Sequence, residues 1–75
     1  MREKAYVVTS THALGVAIRH YRRQRRLTQA DLAERAHLSE RTIVRLEQGE
    51  AEQLRRLLRI LKTLGVRMTL EPGSP

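Results

Sequence analysis

The sequence predicts an all-α domain: four helices closed by a short C-terminal β-strand. Three observations predict it. Apolar residues recur at three- and four-residue intervals through four consecutive stretches between residues 11 and 65. Good helix caps, Ser10, Thr28 and Ser39, open the first three, and Gly49 and Gly65 close the last two. After Gly65 the rhythm changes, with Val66, Met68 and Leu70 alternating with Arg67, Thr69 and Glu71, the two-residue period of a strand with one buried face.

In chain order, residues 1–9 read as an N-terminal arm whose run Ala5-Tyr6-Val7-Val8-Thr9 suits an extended segment or a brief strand. The first helix is expected at about 11–25, with Leu14, Ala17, Ile18 and Tyr21 as its buried stripe. The second, at about 29–36, turns Leu32, Ala33 and Ala36 inward; the third, at about 40–47, turns Ile43 and Leu46 inward. Only about three residues around His37 separate them, too few for two helices to lie antiparallel. The third must therefore cross the second steeply and stand out from the surface, which is a helix-turn-helix. The fourth helix, at about 51–64, carries Leu54, Leu57, Leu58, Leu61 and Leu64 on one face. Helical core 11–65, strand 66–71 and a flexible tail 72–75 complete a single domain spanning 1–75, without internal repeats.

Seventy-five residues lie near the lower limit for a core that folds alone, and no cysteine is present to staple it. Well-packed helices or a second copy must supply the missing stability. The strand at 66–71 needs a partner for its backbone groups: the N-terminal arm, or the same strand of another copy. The dimer is the preferred expectation. Antiparallel pairing about Thr69 would set Arg67 opposite Glu71 of the second chain and cover an edge that invites aggregation. The plainer alternative has Val66, Met68 and Leu70 covering the monomer's own core.

Fifteen basic residues against eight acidic ones give a formal charge of +7. Thirteen of the fifteen are arginine. A GC-rich genome alone would raise arginine content, but it does not explain Arg19, Arg22, Arg23, Arg25 and Arg26 falling within one short segment. That cluster is the electrostatic footprint of a polyanion binder, and double-stranded DNA is the expected partner. Side chains at the start of a protruding third helix, Ser39, Glu40, Arg41 and Thr42, with Arg45 one turn on, would reach base edges in the major groove. Arg41 suits a bidentate guanine contact and Glu40 a cytosine amine. The bland alternatives are a first-turn acid for Glu40 and a cap-supporting role for Thr42. The N-terminus of the second helix, Thr28 and Gln29, favours a phosphate, and Arg23 and Arg26 are further phosphate candidates that could instead merely solubilise the first helix.

Catalysis and metal binding find no footing. His12, His20 and His37 lie in separate settings without ligand-like spacing, and no glycine-rich phosphate loop or nucleophile arrangement occurs. No enzyme activity and no cofactor is expected. His12 reads as a first-turn surface residue and His20 as part of the basic helix face. No apolar run long enough for a membrane span and no signal-peptide stretch occurs, so a cytoplasmic protein without a membrane partner is the expectation.

Leu27-Thr28-Gln29-Ala30-Asp31-Leu32-Ala33, followed by Leu38-Ser39-Glu40-Arg41-Thr42-Ile43 and Leu46-Glu47-Gln48-Gly49, resembles the phage-repressor and Cro-like (XRE-type) helix-turn-helix family over about residues 13–65. The resemblance implies a repressor-like fold, a phosphate-anchoring role for Gln29, and an ion pair between Arg22 and Glu47 tying the first helix to the end of the third. Two solvated surface charges are the alternative for that pair. The family's frequent turn glycines are replaced by Arg26 and His37, which would then sit at positive φ. The ends, Val8-Thr9-Ser10 with Leu14-Gly15 and Leu64-Gly65-Val66-Arg67-Met68-Thr69-Leu70, resemble the narrower group of HipB-like antitoxins. That likeness implies a homodimer paired through the terminal strand, Val66 to Glu71, repressing its own operon through a palindromic operator and binding a HipA-like kinase toxin. The rival readings are a stand-alone phage-type or restriction-modification controller regulator, and a protein-interaction module with a vestigial helix-turn-helix.

Overall fold

A computed structural model describes residues 4–73. Its elements are β1 (Tyr6–Val8), α1 (Thr11–Gln24), α2 (Gln29–Ala36), α3 (Glu40–Glu47), α4 (Glu52–Leu64) and β2 (Met68–Leu70). The four helices fall within a residue of their expected bounds. The outermost parts of the expected arm and tail, residues 1–3 and 74–75, lie outside the described residues.

The caps explain these bounds. Ser10 accepts from the Ala13 amide to open α1. Thr28 opens α2 with a reciprocal box: its hydroxyl accepts from the Asp31 amide at 3.0 Å while its own amide donates to the Asp31 carboxylate at 2.9 Å. Ser39 opens α3 by accepting from the Thr42 amide. Leu38 donates back to the Ala33 carbonyl, and His37, in the left-handed region at φ 58°, closes α2. Arg26 is left-handed as well, at φ 55°. Both positive-φ expectations are met where the chain turns most tightly.

α1 and α2 both pack on α3, and the closest approach is made at Gly15. A Cβ there would come within 2.5 Å of the Glu47 carbonyl oxygen and 2.6 Å of that of Leu46. Only glycine lets the end of α3 lie on α1 at this spacing. Gly49, just beyond α3, sits at φ 82°, and a Cβ there would come within 3.1 Å of the His12 α-carbon, so the chain leaving α3 grazes the first turn of α1.

The core is small. Val8, Leu14, Ala17, Ala33 and Ile43 are its buried apolar residues, and no large side chain among the described residues is fully enclosed. Ile18, Tyr21, Leu32 and Leu46 are half-buried, whereas Ala36, expected inward, is exposed on the last turn of α2. The apolar face of α4 is also less covered than its pattern suggests. Leu54, Leu58 and Leu61 are half-buried, but Leu57 and Leu64 point outward. The reason is a missing layer: α4 packs against α1 on one side, and its other apolar flank stays largely uncovered among the described residues.

The strand expectation needs two corrections. β2 covers Met68–Leu70 rather than 66–71. Val66 belongs to the helix terminator, its amide donating to the Leu61 carbonyl after Gly65 caps α4. Arg67 bridges to the sheet, and Glu71 lies beyond the end of β1 and before Pro72, which has no amide to give. The strand's partner, moreover, is the chain's own arm: β1 and β2 pair antiparallel with Tyr6 opposite Leu70, Val7 opposite Thr69 and Val8 opposite Met68. Tyr21 fixes the hairpin-like closure by donating to the Lys4 carbonyl at 2.8 Å and to that of Leu70 at 3.3 Å. The arm is therefore a strand. A second copy, to pair with β2, would have to use its other edge.

Candidate nucleic-acid interface

The site begins at Glu47, the last residue of α3. Its carboxylate is fully enclosed yet completely partnered. Arg22 grips both oxygens, Nε donating to Oε2 at 2.6 Å and Nη2 to Oε1 at 2.9 Å. Arg19 Nε donates to Oε1 from 3.4 Å, and Gln29 Nε2 donates to the same oxygen at 3.2 Å. Arg22 spends its remaining nitrogen on the Leu27 carbonyl at 2.9 Å, which holds the turn between α1 and α2. One carboxylate thus joins α1, the start of α2 and the end of α3. Such a fork-to-fork pair fixes direction as well as distance, so it sets the angle at which α3 leaves the body. The Arg22 guanidinium, with the Gln29 and Arg19 donors, holds the Glu47 carboxyl below the usual carboxylate range despite its burial, and Arg22 is raised in turn.

Arg19 and Gln29 are additions to the expected Arg22–Glu47 pair. The signal for Arg19 lay in the spacing Gly15, Arg19, Arg22, which places all three on one face of α1: the glycine admits α3 and the arginines reach its end. Gln29 carried no such signal, because its contact depends on how α2 crosses α3.

At the other end of α3, Glu40 and Arg41 are exposed, as is Arg45 in its last turn. Among the described residues the side chains of Arg41 and Glu40 make no hydrogen bond or ion pair. Arg45 lies 4.0 Å from Glu50, an exposed pair too loose to immobilise it. Ser39 and Thr42 are already engaged: their hydroxyls lie 2.8 Å apart and Ser39 holds the Thr42 amide. Thr42 thus supports the cap.

The N-terminus of α2 lies against the C-terminal end of α3, where Gln29 reaches across to Glu47. Thr28 uses its amide and its hydroxyl oxygen in the box with Asp31, whose carboxyl is lowered chiefly by the hydrogen bond from the Thr28 backbone. Gln29 has one side-chain donor turned inward to Glu47. What α2 offers outward is its first-turn amides and the rest of the Gln29 side chain. Arg23 and Arg26 are exposed near this end of α1. Arg25 is folded back, its guanidinium over the Tyr21 ring at 5.6 Å and donating to the Tyr21 carbonyl.

His20, expected on the basic helix face, instead meets rings. Tyr6, His20 and Tyr21 form a triangle with centroids 5.4–5.7 Å apart, joining α1 to β1. No three His, Asp or Glu side chains converge as metal ligands among the described residues. No helix there is long and apolar enough to cross a membrane.

The assembled surface has an α2 N-terminus, a protruding α3 with free cationic and acidic tips, and flanking arginines. The comparison with protein-family models agrees with this geometry, since the helix-turn-helix domain model matches residues 13–70. No curated protein and no solved structure matches the chain. With α1 to β2 almost wholly inside that match, the chain belongs to the helix-turn-helix domain family, a family of DNA-binding regulators.

Proposed function

We propose that the protein is a sequence-specific transcriptional repressor that binds a two-fold symmetric operator as a homodimer. The observation that carries this reading is the division of labour along α3. Its C-terminal end is locked through Glu47, while Glu40 and Arg41 project unengaged from its other end and Arg45 is exposed in its last turn, paired only loosely with Glu50. A rigid helix with free tips is what base reading requires, because a bidentate contact tolerates little angular error. Arg41 pairs with guanine and Glu40 accepts from a cytosine amine. Arg45 reaches a further base, and Ser39 and Thr42 approach bases through what their cap leaves free. The amides of Gln29, the hydroxyl of Thr28, and Arg23 and Arg26 take phosphates and set the register. Repression follows from occluding a promoter.

Dimerisation is supported by what the monomer leaves uncovered. Ile60, Leu64 and Val66 are 55%, 69% and 49% exposed, and the outer edge of β2 has no strand beside it among the described residues. A second copy seated there would bury this flank, and Val66 to Glu71 would meet their counterparts. Two α3 helices would then enter successive major grooves about 34 Å apart.

Within this reading we further propose that the repressor is the antitoxin of a type II toxin–antitoxin operon and binds a HipA-like kinase toxin, on the likeness of its ends to HipB-like antitoxins. Copurification with the product of the adjacent gene tests that step. A neighbour that is no kinase-like toxin removes the antitoxin role and leaves the repressor.

The repressor itself is tested by selecting binding sites from random duplexes and measuring gel shifts at moderate salt. A palindromic site should emerge, and Arg41→Ala should relax preference at one base pair per half-site by about 1–3 kcal/mol. Equal affinity for the selected pool and for random DNA would end the proposal.

A further inference from the structure

A cleft of about 280 Å³ lies between the sheet and α4. Val8, Leu58, Val66 and Met68 make its apolar floor, and Lys62 and Arg67 stand at its rim. A second depression continues it along α4, past Thr9 to Thr11, with Arg55, Arg59 and Lys62 on its far wall. Neither lining contains an acidic side chain. Arg55 is answered in part by Glu52 at 3.0 Å, but the side chains of Arg59, Lys62 and Arg67 make no hydrogen bond or ion pair among the described residues. Positions 55, 59 and 62 follow the i, i+4, i+7 spacing of one helix face, so these cations form a row about 10 Å long.

This row is on the opposite flank of α4 from Ile60 and Leu64. At 100° per residue the two flanks are separated by the half-buried seam of Leu54, Leu58 and Leu61. α4 therefore carries three faces: one packed on α1, one apolar and one basic. The basic face differs from the DNA-facing arginines in having an apolar floor beside it.

We propose that this cleft docks an acidic, amphipathic segment of a partner protein. One large apolar side chain sits over Leu58 between the sheet and the helix, and carboxylates lie along Arg59 and Lys62. Charge complementarity selects the occupant, because the site supplies only positive charge and its ligand must bring the negative. A nucleic acid would satisfy the cations but leaves the apolar floor without a partner. Another copy of this chain, at +7, has little to offer a basic row. The inference goes beyond DNA recognition and does not depend on it.

The test pans a phage-displayed library of random twelve-residue peptides against the full chain, then measures synthetic versions of the enriched peptides by fluorescence anisotropy. Peptides combining several acidic residues with one large apolar residue are expected. Their amide-shift footprint should centre on Val8 and Leu58. The double variant Arg59→Glu, Lys62→Glu should weaken them by about tenfold or more, a change of about 1.4 kcal/mol or more. The charge-keeping pair Arg59→Lys, Lys62→Arg should retain binding, and thermal melts of both variants should match the parent. Operator affinity should be unchanged in the double variant, which separates failure here from failure of the repressor reading. The proposal is overturned if no such peptides are enriched, if replacing their apolar residue by serine leaves affinity unchanged, or if they bind the double variant equally. It is also overturned if a twelve-nucleotide single strand footprints on the same cleft and displaces them.

Discussion

Glu47 and Leu64 close two successive helices, and their surroundings are opposites. Glu47 is a charge enclosed by the fold and met by every donor it needs, whereas Leu64 is an apolar side chain 69% exposed. The polar end of α3 is buried and the apolar end of α4 is bare. The contrast teaches where this small chain obtains its order. With few buried apolar residues, it uses a directional ion-pair network to fix the one angle that DNA reading depends on. It leaves much of its apolar surface for association. Buried pairs contribute little net stability against well-packed hydrophobes, but they specify geometry, and removing one partner is costly.

The sharpest way to break this contrast is at Glu47. Glu47→Ala leaves Arg22 enclosed without its counter-charge and should cost about 3–5 kcal/mol in urea unfolding, a large share of any stability so small a domain can have. An unfolding midpoint that scarcely moves would mean that the network is peripheral. Gly15→Ala attacks the same junction without touching charge. It drives a methyl into the α3 carbonyls and should cost about 1–3 kcal/mol or more.

Acid tests the network by a different route. The Glu47 carboxyl is held below its ordinary value by Arg22, so its folded-state pKa is the lower of the two. Its contribution is therefore fully present above the unfolded-state value, about 4.3, and is lost as pH falls through the depressed folded one. Stability measured against pH should decline more steeply on that acid limb for the parent than for Glu47→Gln, which has no proton to take up. Identical acid limbs would assign the decline to other carboxylates.

At the bare end, Leu64→Glu should change monomer stability by no more than about 0.5 kcal/mol. The same substitution should shift sedimentation from dimer to monomer, weakening association by about tenfold or more. A variant that sediments like the parent would count against the proposed dimer. The smallest effect is expected at His37. Its left-handed backbone strains a side chain with a β-carbon, and His37→Gly should stabilise the fold by about 0.5–1 kcal/mol while leaving α3 in place.

Much of the fold was legible because its signals are local. Ser10, Thr28 and Ser39 cap their own helices, and Gly49 and Gly65 end theirs, through bonds spanning a few residues. The tight break at His37 alone forces the helix-turn-helix crossing. The pairing of Arg22 with Glu47 came from family likeness, and the structure adds Arg19 and Gln29 to it. Thr42 illustrates the limit at the interface: a hydroxyl at the start of a recognition helix can face a base or its own cap, and here it bonds Ser39. His20 was misread because its neighbours are on β1, fourteen residues and one turn of topology away from Tyr6 in sequence.

The sequence by itself determined the elements, their order and the basic balance of the chain, because capping, periodicity and charge act over one or two helical turns. Only the tertiary structure decided that the arm is β1 and takes β2 as its partner, that Gly15 seats the end of α3, and that α4 shows solvent an apolar flank and a basic one. Those outcomes depend on which distant surfaces meet. The period of a helix reports that a face is apolar, and whether anything covers it is settled by how much chain remains to do so.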